Sequence, residues 1–119
     1  MPSKEVSAPE VRKFSLSFEE AVEQPHFHKT SFRVRKKVFA TMDESARTVV
    51  VKLTPVEQSV FSGFNNEAVY PVPGAWGAKG WTMIDLTGVD RDLLLDAIRA
   101  SYRNTAPKKL AQLYSDKES

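Results

Sequence analysis

The stretch from Thr30 to Leu53 constrains the fold more than any other part of the chain. Thr30, Phe32 and Val34 alternate with Ser31, Arg33 and Arg35, and Val38, Ala40 and Met42 alternate with Phe39 and Thr41. Residues 47–53 then read Arg-Thr-Val-Val-Val-Lys-Leu. Short runs of period two mark half-buried strands, and a β-branched run suits a central strand. The links between them are Arg35-Lys36-Lys37 and Asp43-Glu-Ser-Ala46. A parallel crossover needs about a dozen residues, so neighbouring strands here must run antiparallel. The first link has no Gly or Asn, although tight hairpins favour positive φ, so a longer or strained loop is expected there.

Helices flank this core of strands. Ser7-Ala-Pro-Glu10 reads as a serine cap with Pro just inside and Glu reaching back. Ser17-Phe-Glu-Glu20 offers a second cap, so residues 8–24 form one bent helix or two short pieces, ended by Pro25. Thr54-Pro-Val-Glu57 is a second capping box, and Val56, Val60, Phe61 and Phe64 form an apolar helical face behind it. Residues 68–72 and 81–86 read as the fourth and fifth strands, separated by the glycine-rich loop Gly74–Gly80. Asp90 is placed to cap a helix over about 91–104, with Leu94, Ala97, Ile98 and Tyr102 on its inner face. Pro107 opens a short last helix. The order is α-β-β-β-α-β-β-α, an α+β domain of two layers with helices on a mostly antiparallel five-stranded sheet.

At 119 residues the chain is the size of one domain, able to hold a core without a disulfide or metal. The expected division is a disordered start at 1–6, one domain over 7–113 and a frayed end at 114–119. Cysteine is absent, which removes disulfide scaffolds, cysteine nucleophiles and iron–sulfur sites together. No signal peptide or spanning apolar run is legible, and the expected location is the cytoplasm.

The net charge of +2 conceals an uneven distribution. Residues 29–52 carry seven basic groups, Lys29, Arg33, Arg35, Lys36, Lys37, Arg47 and Lys52, against two acidic ones. Arg33 and Arg35 are expected on one face of a strand, with Lys36 and Lys37 at its tip. Cations on a β-ribbon can grip a phosphate backbone as a wing, although Lys at a hairpin tip also serves simply to keep an edge from pairing. Trp76, Lys79 and Trp81 add aromatic and cationic groups from a second element.

Catalytic constellations are weak. His26 and His28 point the same way on an extended segment, but two histidines without carboxylates are a poor metal site. No serine lies in Gly-x-Ser-x-Gly. Gly74-Ala-Trp-Gly-Ala-Lys-Gly80 lacks the Lys-Ser/Thr ending of a phosphate loop and runs into a strand, so Trp76 folding back on the core is the simpler expectation. No catalytic residue, metal or cofactor is assigned, and the chain is expected not to be an enzyme.

Three segments carry a family resemblance. They are Pro25-His-Phe-His-Lys-Thr-Ser-Phe-Arg-Val-Arg-Lys-Lys-Val-Phe-Ala-Thr41, Val72-Pro-Gly-Ala-Trp-Gly-Ala-Lys-Gly-Trp-Thr82, and Ala100-Ser-Tyr-Arg-Asn-Thr-Ala-Pro-Lys-Lys-Leu110. Together they resemble the MmcQ/YjbR-like family over about residues 9–110. The resemblance implies an α-β3-α-β2-α fold, similar to secretion chaperones, and DNA binding through a double-wing motif. Two departures stand out: Lys36 where the family commonly has Gly, and Tyr102 where it commonly has Trp.

The expected partner is double-stranded DNA, held by Lys29, Ser31, Arg33, Arg35, Lys36, Lys37, Lys79, Thr82 and Lys108. The alternative is a protein-interaction or small-ligand module using a pocket formed by His26, His28, Phe32, Trp76 and Trp81. No membrane partner is expected.

Overall fold

The structure is a computed structural model and describes residues 6–114. The expected disordered residues 1–5 and frayed residues 115–119 lie outside the described residues. Val6 and Tyr114, assigned to those ends, both pack against the core.

The elements in chain order are α1 (Ala8–Leu16), β1 (Ala21–His26), β2 (Lys29–Val34), β3 (Lys37–Asp43), β4 (Thr48–Lys52), α2 (Pro55–Phe64), β5 (Val69–Pro71), α3 (Ala75–Ala78), β6 (Trp81–Asp85), α4 (Arg91–Thr105) and α5 (Lys108–Ala111), with a closing 3₁₀ turn (Gln112–Tyr114). The sheet is antiparallel throughout, in the order β1-β2-β3-β4-β6-β5. Among the described residues it has six strands rather than the expected five.

The added strand is β1, where the sequence reading placed helix as far as residue 24. Ser17 does not start a second helix. Its hydroxyl donates to the Phe14 carbonyl at 2.6 Å and its own N–H caps the end of α1. Glu20 then turns the chain at φ 64, and Ala21–His26 pair with β2. Pro25 lacks an N–H, which an edge strand tolerates and a central strand does not.

Both capping boxes form as expected, Ser7 with Glu10 and Thr54 with Glu57. Asp90 occupies the cap position of α4 without a capping hydrogen bond from its side chain. The Arg35-Lys36 turn is tight rather than long, since Val34 pairs with Lys37. Its two residues sit at φ 52 and φ 72, a left-handed geometry that favours glycine.

Strict alternation fails at Phe39. The β2–β3 register passes from Phe32–Ala40 to Arg33–Val38, leaving Phe39 as the extra residue of a bulge. A bulge turns two neighbouring side chains toward one side, and Phe39 and Ala40 are both fully buried. α4 lies across β3 and β4, and Val49, Val51 and Ile84 are fully buried. Thr41, Val50 and Met83 face the other way and stay half-exposed. The core closes with an aromatic cluster in which Tyr102 stacks on Phe18 at 4.6 Å and meets Phe39 and Tyr114 edge-on. The Tyr102 hydroxyl donates to the Glu19 carbonyl at 2.6 Å. That hydroxyl thus ties α4 to the turn before β1.

Candidate nucleic-acid interface

The strand register gathers distant cations at one end of the sheet. Lys36 sits in the β2–β3 turn, Lys37 begins β3, and Lys52 ends β4 opposite Trp81 at the start of β6. The last turn of α4 reaches the same end, because the Asn104 side-chain amide donates to the Lys52 carbonyl at 3.0 Å. Lys108 and Lys109 follow directly, at the start of α5.

The glycine-rich loop completes this end. Gly77 and Gly80 make it tight: a Cβ on either would lie 1.9 Å from a backbone carbonyl oxygen, of Val72 and Leu53 respectively. Gly80 also sits at φ 106. Gln58 of α2 anchors the loop, its amide donating to the Gly77 carbonyl at 3.0 Å and to the Thr82 hydroxyl at 3.1 Å. The glycines are therefore structural. Trp76 is not: it is 61% exposed, against the expectation that it would fold back on the core.

The two indoles meet edge-on at 6.4 Å. Lys79 Nζ lies 5.5 Å from the Trp76 ring centre, and Lys52 Nζ lies 5.2 Å from that of Trp81. This brackets the two indoles with a cation on either side, each attracted to a ring face. Lys36, Lys37, Lys52, Lys79, Lys108 and Lys109 take part in no ion pair among the described residues. Asp43, Glu44, Asp85, Asp90 and Asp92 collect at the opposite end, where β3 and β6 finish and α4 begins. Glu20 and Glu57 also lie at the basic end, and Lys29, Arg47 and Arg91 at the acidic one, so the two ends differ in the balance of charge rather than in its sign alone.

The remaining expected contacts are placed less favourably. Ser31 and Thr82 are fully buried and offer no surface to a phosphate. The Ser31 hydroxyl donates to the Gln24 carbonyl and accepts from Arg33 Nε at 2.9 Å, so Arg33 is held along the sheet. Arg35 is paired with Glu20, whose carboxyl is held below its usual range mainly by that hydrogen bond. Lys29 begins β2 beside the acidic end. Six residues lie between it and Lys36, roughly 20 Å of extended chain.

The expected pocket residues do not converge. His26 is on β1 and Trp81 on β6, four strand spacings or roughly 19 Å apart. Phe32 lies in the core between them. His26 packs edge-on against the exposed Phe27, while His28 Nε2 lies 3.4 Å from Asp43. Asp43 is lowered chiefly by the backbone N–H of Ala46, with His28 contributing less. No group of three or more metal-ligating side chains occurs among the described residues. None of the described helices is long and apolar enough to cross a membrane.

Lys52 and Lys109 were not among the expected contacts. Lys52 ends the β-branched run, and only its register against Trp81 shows that it joins the indole pair.

A family model, YjbR, matches residues 16–104. The chain belongs to the YjbR family. Within that family's span fall both capping and loop devices described above: the α2 box, the Gln58 anchor and the two close-packed glycines. The crystal structure of the Deinococcus radiodurans protein DR2400, with a domain described as DUF419, has the same fold. It is 17% identical, with a TM-score of 0.75, over 87% of this chain and 81% of that one. No curated protein matches this YjbR chain in sequence.

Proposed function

We propose that this YjbR protein binds duplex DNA through the basic end of its sheet, gripping the phosphate backbone without catalysis. The observation that carries the proposal is the gathering, at one end of the sheet, of six lysines that make no ion pair among the described residues, with the exposed Trp76 beside Lys79. These residues come from four separate parts of the chain, and the fold brings those parts to one end of the sheet.

The chemistry is that of backbone contact. Each lysine that neutralises a phosphate releases condensed counterions, which gives affinity without reading sequence. The β2–β3 turn and the Gly74–Gly80 loop act as two projections flanking the strand ends. Trp76 adds an apolar face that can pack against sugar or an unstacked base. The acidic opposite end disfavours approach the wrong way round and so orients the encounter.

The test is fluorescence anisotropy of a labelled duplex at low salt. Lys36→Glu with Lys79→Glu is expected to weaken binding at least tenfold. Lys29→Glu, at the other end of β2, is expected to change it less than twofold. Equal effects of the two changes, or no duplex binding at low salt, would overturn the assignment.

A further inference from the structure

Helix α2 is amphipathic, but its apolar face is not used by the fold. None of its ten residues is fully buried. Val56, Val60 and Phe64, spaced by four residues, are 73%, 53% and 73% exposed. Only Phe61 turns in against the core. A buried helix stripe normally supplies most of a short helix's stability, and here the two capping-box bonds and Gln58 hold it instead. No other described element carries three exposed large apolar side chains.

Val60 and Phe64 of this row line a groove of about 600 Å³ between α2 and the start of α4. Val60, Phe61, Phe64 and Leu93 give it an apolar floor. Asp90, Asp92 and Asp96 form its rim on the α4 side. Asp96 is engaged by Arg99 at 2.8 Å, whereas Asp90 and Asp92 make no ion pair among the described residues.

The rim charge decides what fits. A second copy would bring the same three aspartates and no Lys or Arg in the groove lining to neutralise them, which costs affinity. An apolar segment flanked by Lys or Arg would bury the floor and neutralise the rim at once. Beyond the groove the row continues to the exposed Val56, so the apolar face spans about 12 Å of helix, matching two to three turns of a partner helix. We infer that the α2–α4 groove docks a basic amphipathic helix of a partner protein, at a site separate from the lysines proposed to hold DNA.

The test uses three labelled synthetic peptides of 18 residues with the full chain. One is helical, with a leucine face flanked by lysines. The second has glutamates in place of the lysines. The third is a scramble of the first. The basic helix is expected to bind at least tenfold more tightly than either control. Phe64→Asp is expected to abolish that binding, with an unchanged circular dichroism spectrum because the ring is exposed. Asp90→Lys with Asp92→Lys is expected to reverse the preference toward the acidic peptide. Binding without preference among the peptides would overturn the inference. So would binding that survives Phe64→Asp, or a native dimer that Phe64→Asp dissociates in sedimentation.

Discussion

Ser101 should be the most sensitive small side chain in the protein. Its hydroxyl donates to the Phe39 carbonyl at 2.5 Å and accepts the Lys52 N–H at 2.7 Å. The β3–β4 register stops at Ala40–Val51, and Phe39 and Lys52 would form the next pair. The bulge displaces Phe39, and the hydroxyl from α4 fills the gap in the ladder. Ser101→Ala leaves one carbonyl and one N–H without partners in a fully buried place. Orphaning a buried backbone group costs about 1–3 kcal/mol. Ala regains about 0.5 kcal/mol as a better helix former. The net expectation is a loss of about 3 kcal/mol. At roughly 4 °C per kcal/mol for a domain of this size, the melting midpoint should fall by about 12 °C. Urea unfolding followed by circular dichroism measures the same quantity, with the slope unchanged if the native fold is kept. A loss below about 1 kcal/mol would show that the latch between α4 and the sheet lies elsewhere.

Three further outcomes follow from the same geometry. Gly80→Ala should cost at least about 3 kcal/mol in a thermal melt, since its Cβ would strike the Leu53 carbonyl and φ 106 excludes a side chain. Lys36→Gly should raise stability by about 1 kcal/mol by relieving the left-handed turn, while weakening duplex binding by the loss of one contact; unfolding and anisotropy measured on one preparation separate the two effects. Burial pushes the Tyr102 phenol up to about 12 from an ordinary 10.0. A raised phenol favours the folded state below pH 10, and that stability should drain away as pH rises toward 12. Tyrosine difference absorbance during alkaline titration detects it, and Tyr102→Phe should lose that component.

Much of this was legible in the sequence, and the exceptions share a cause. Capping boxes are local, so Ser7-Glu10 and Thr54-Glu57 were readable from spacing alone. The β2–β3–β4 core followed from alternation and short links. β1 was missed because Ala21–His26 has little strand character of its own. It becomes a strand only by pairing with β2, and Pro25 reads locally as the stop of a helix. Phe39 was misplaced because a bulge changes which side a residue faces without marking the sequence. The charge excess over 29–52 marks the β2–β3 turn but holds only part of the lysine cluster at that end of the sheet. Arg35 is tied to Glu20 and Ser31 is buried, while Lys52, Lys79 and Lys108 are brought together by register and helix packing. Such neighbours across the sheet leave no trace in local spacing.

The salt dependence of duplex binding tests the central claim most directly. Four to six lysine–phosphate contacts predict a log–log slope of about −4 to −5 for the native protein. Removing three of them in Lys36→Glu, Lys37→Glu, Lys79→Glu should flatten that slope by about 3. A native slope near zero, or the same slope in the triple variant, would mean that the basic end of the sheet does not hold DNA.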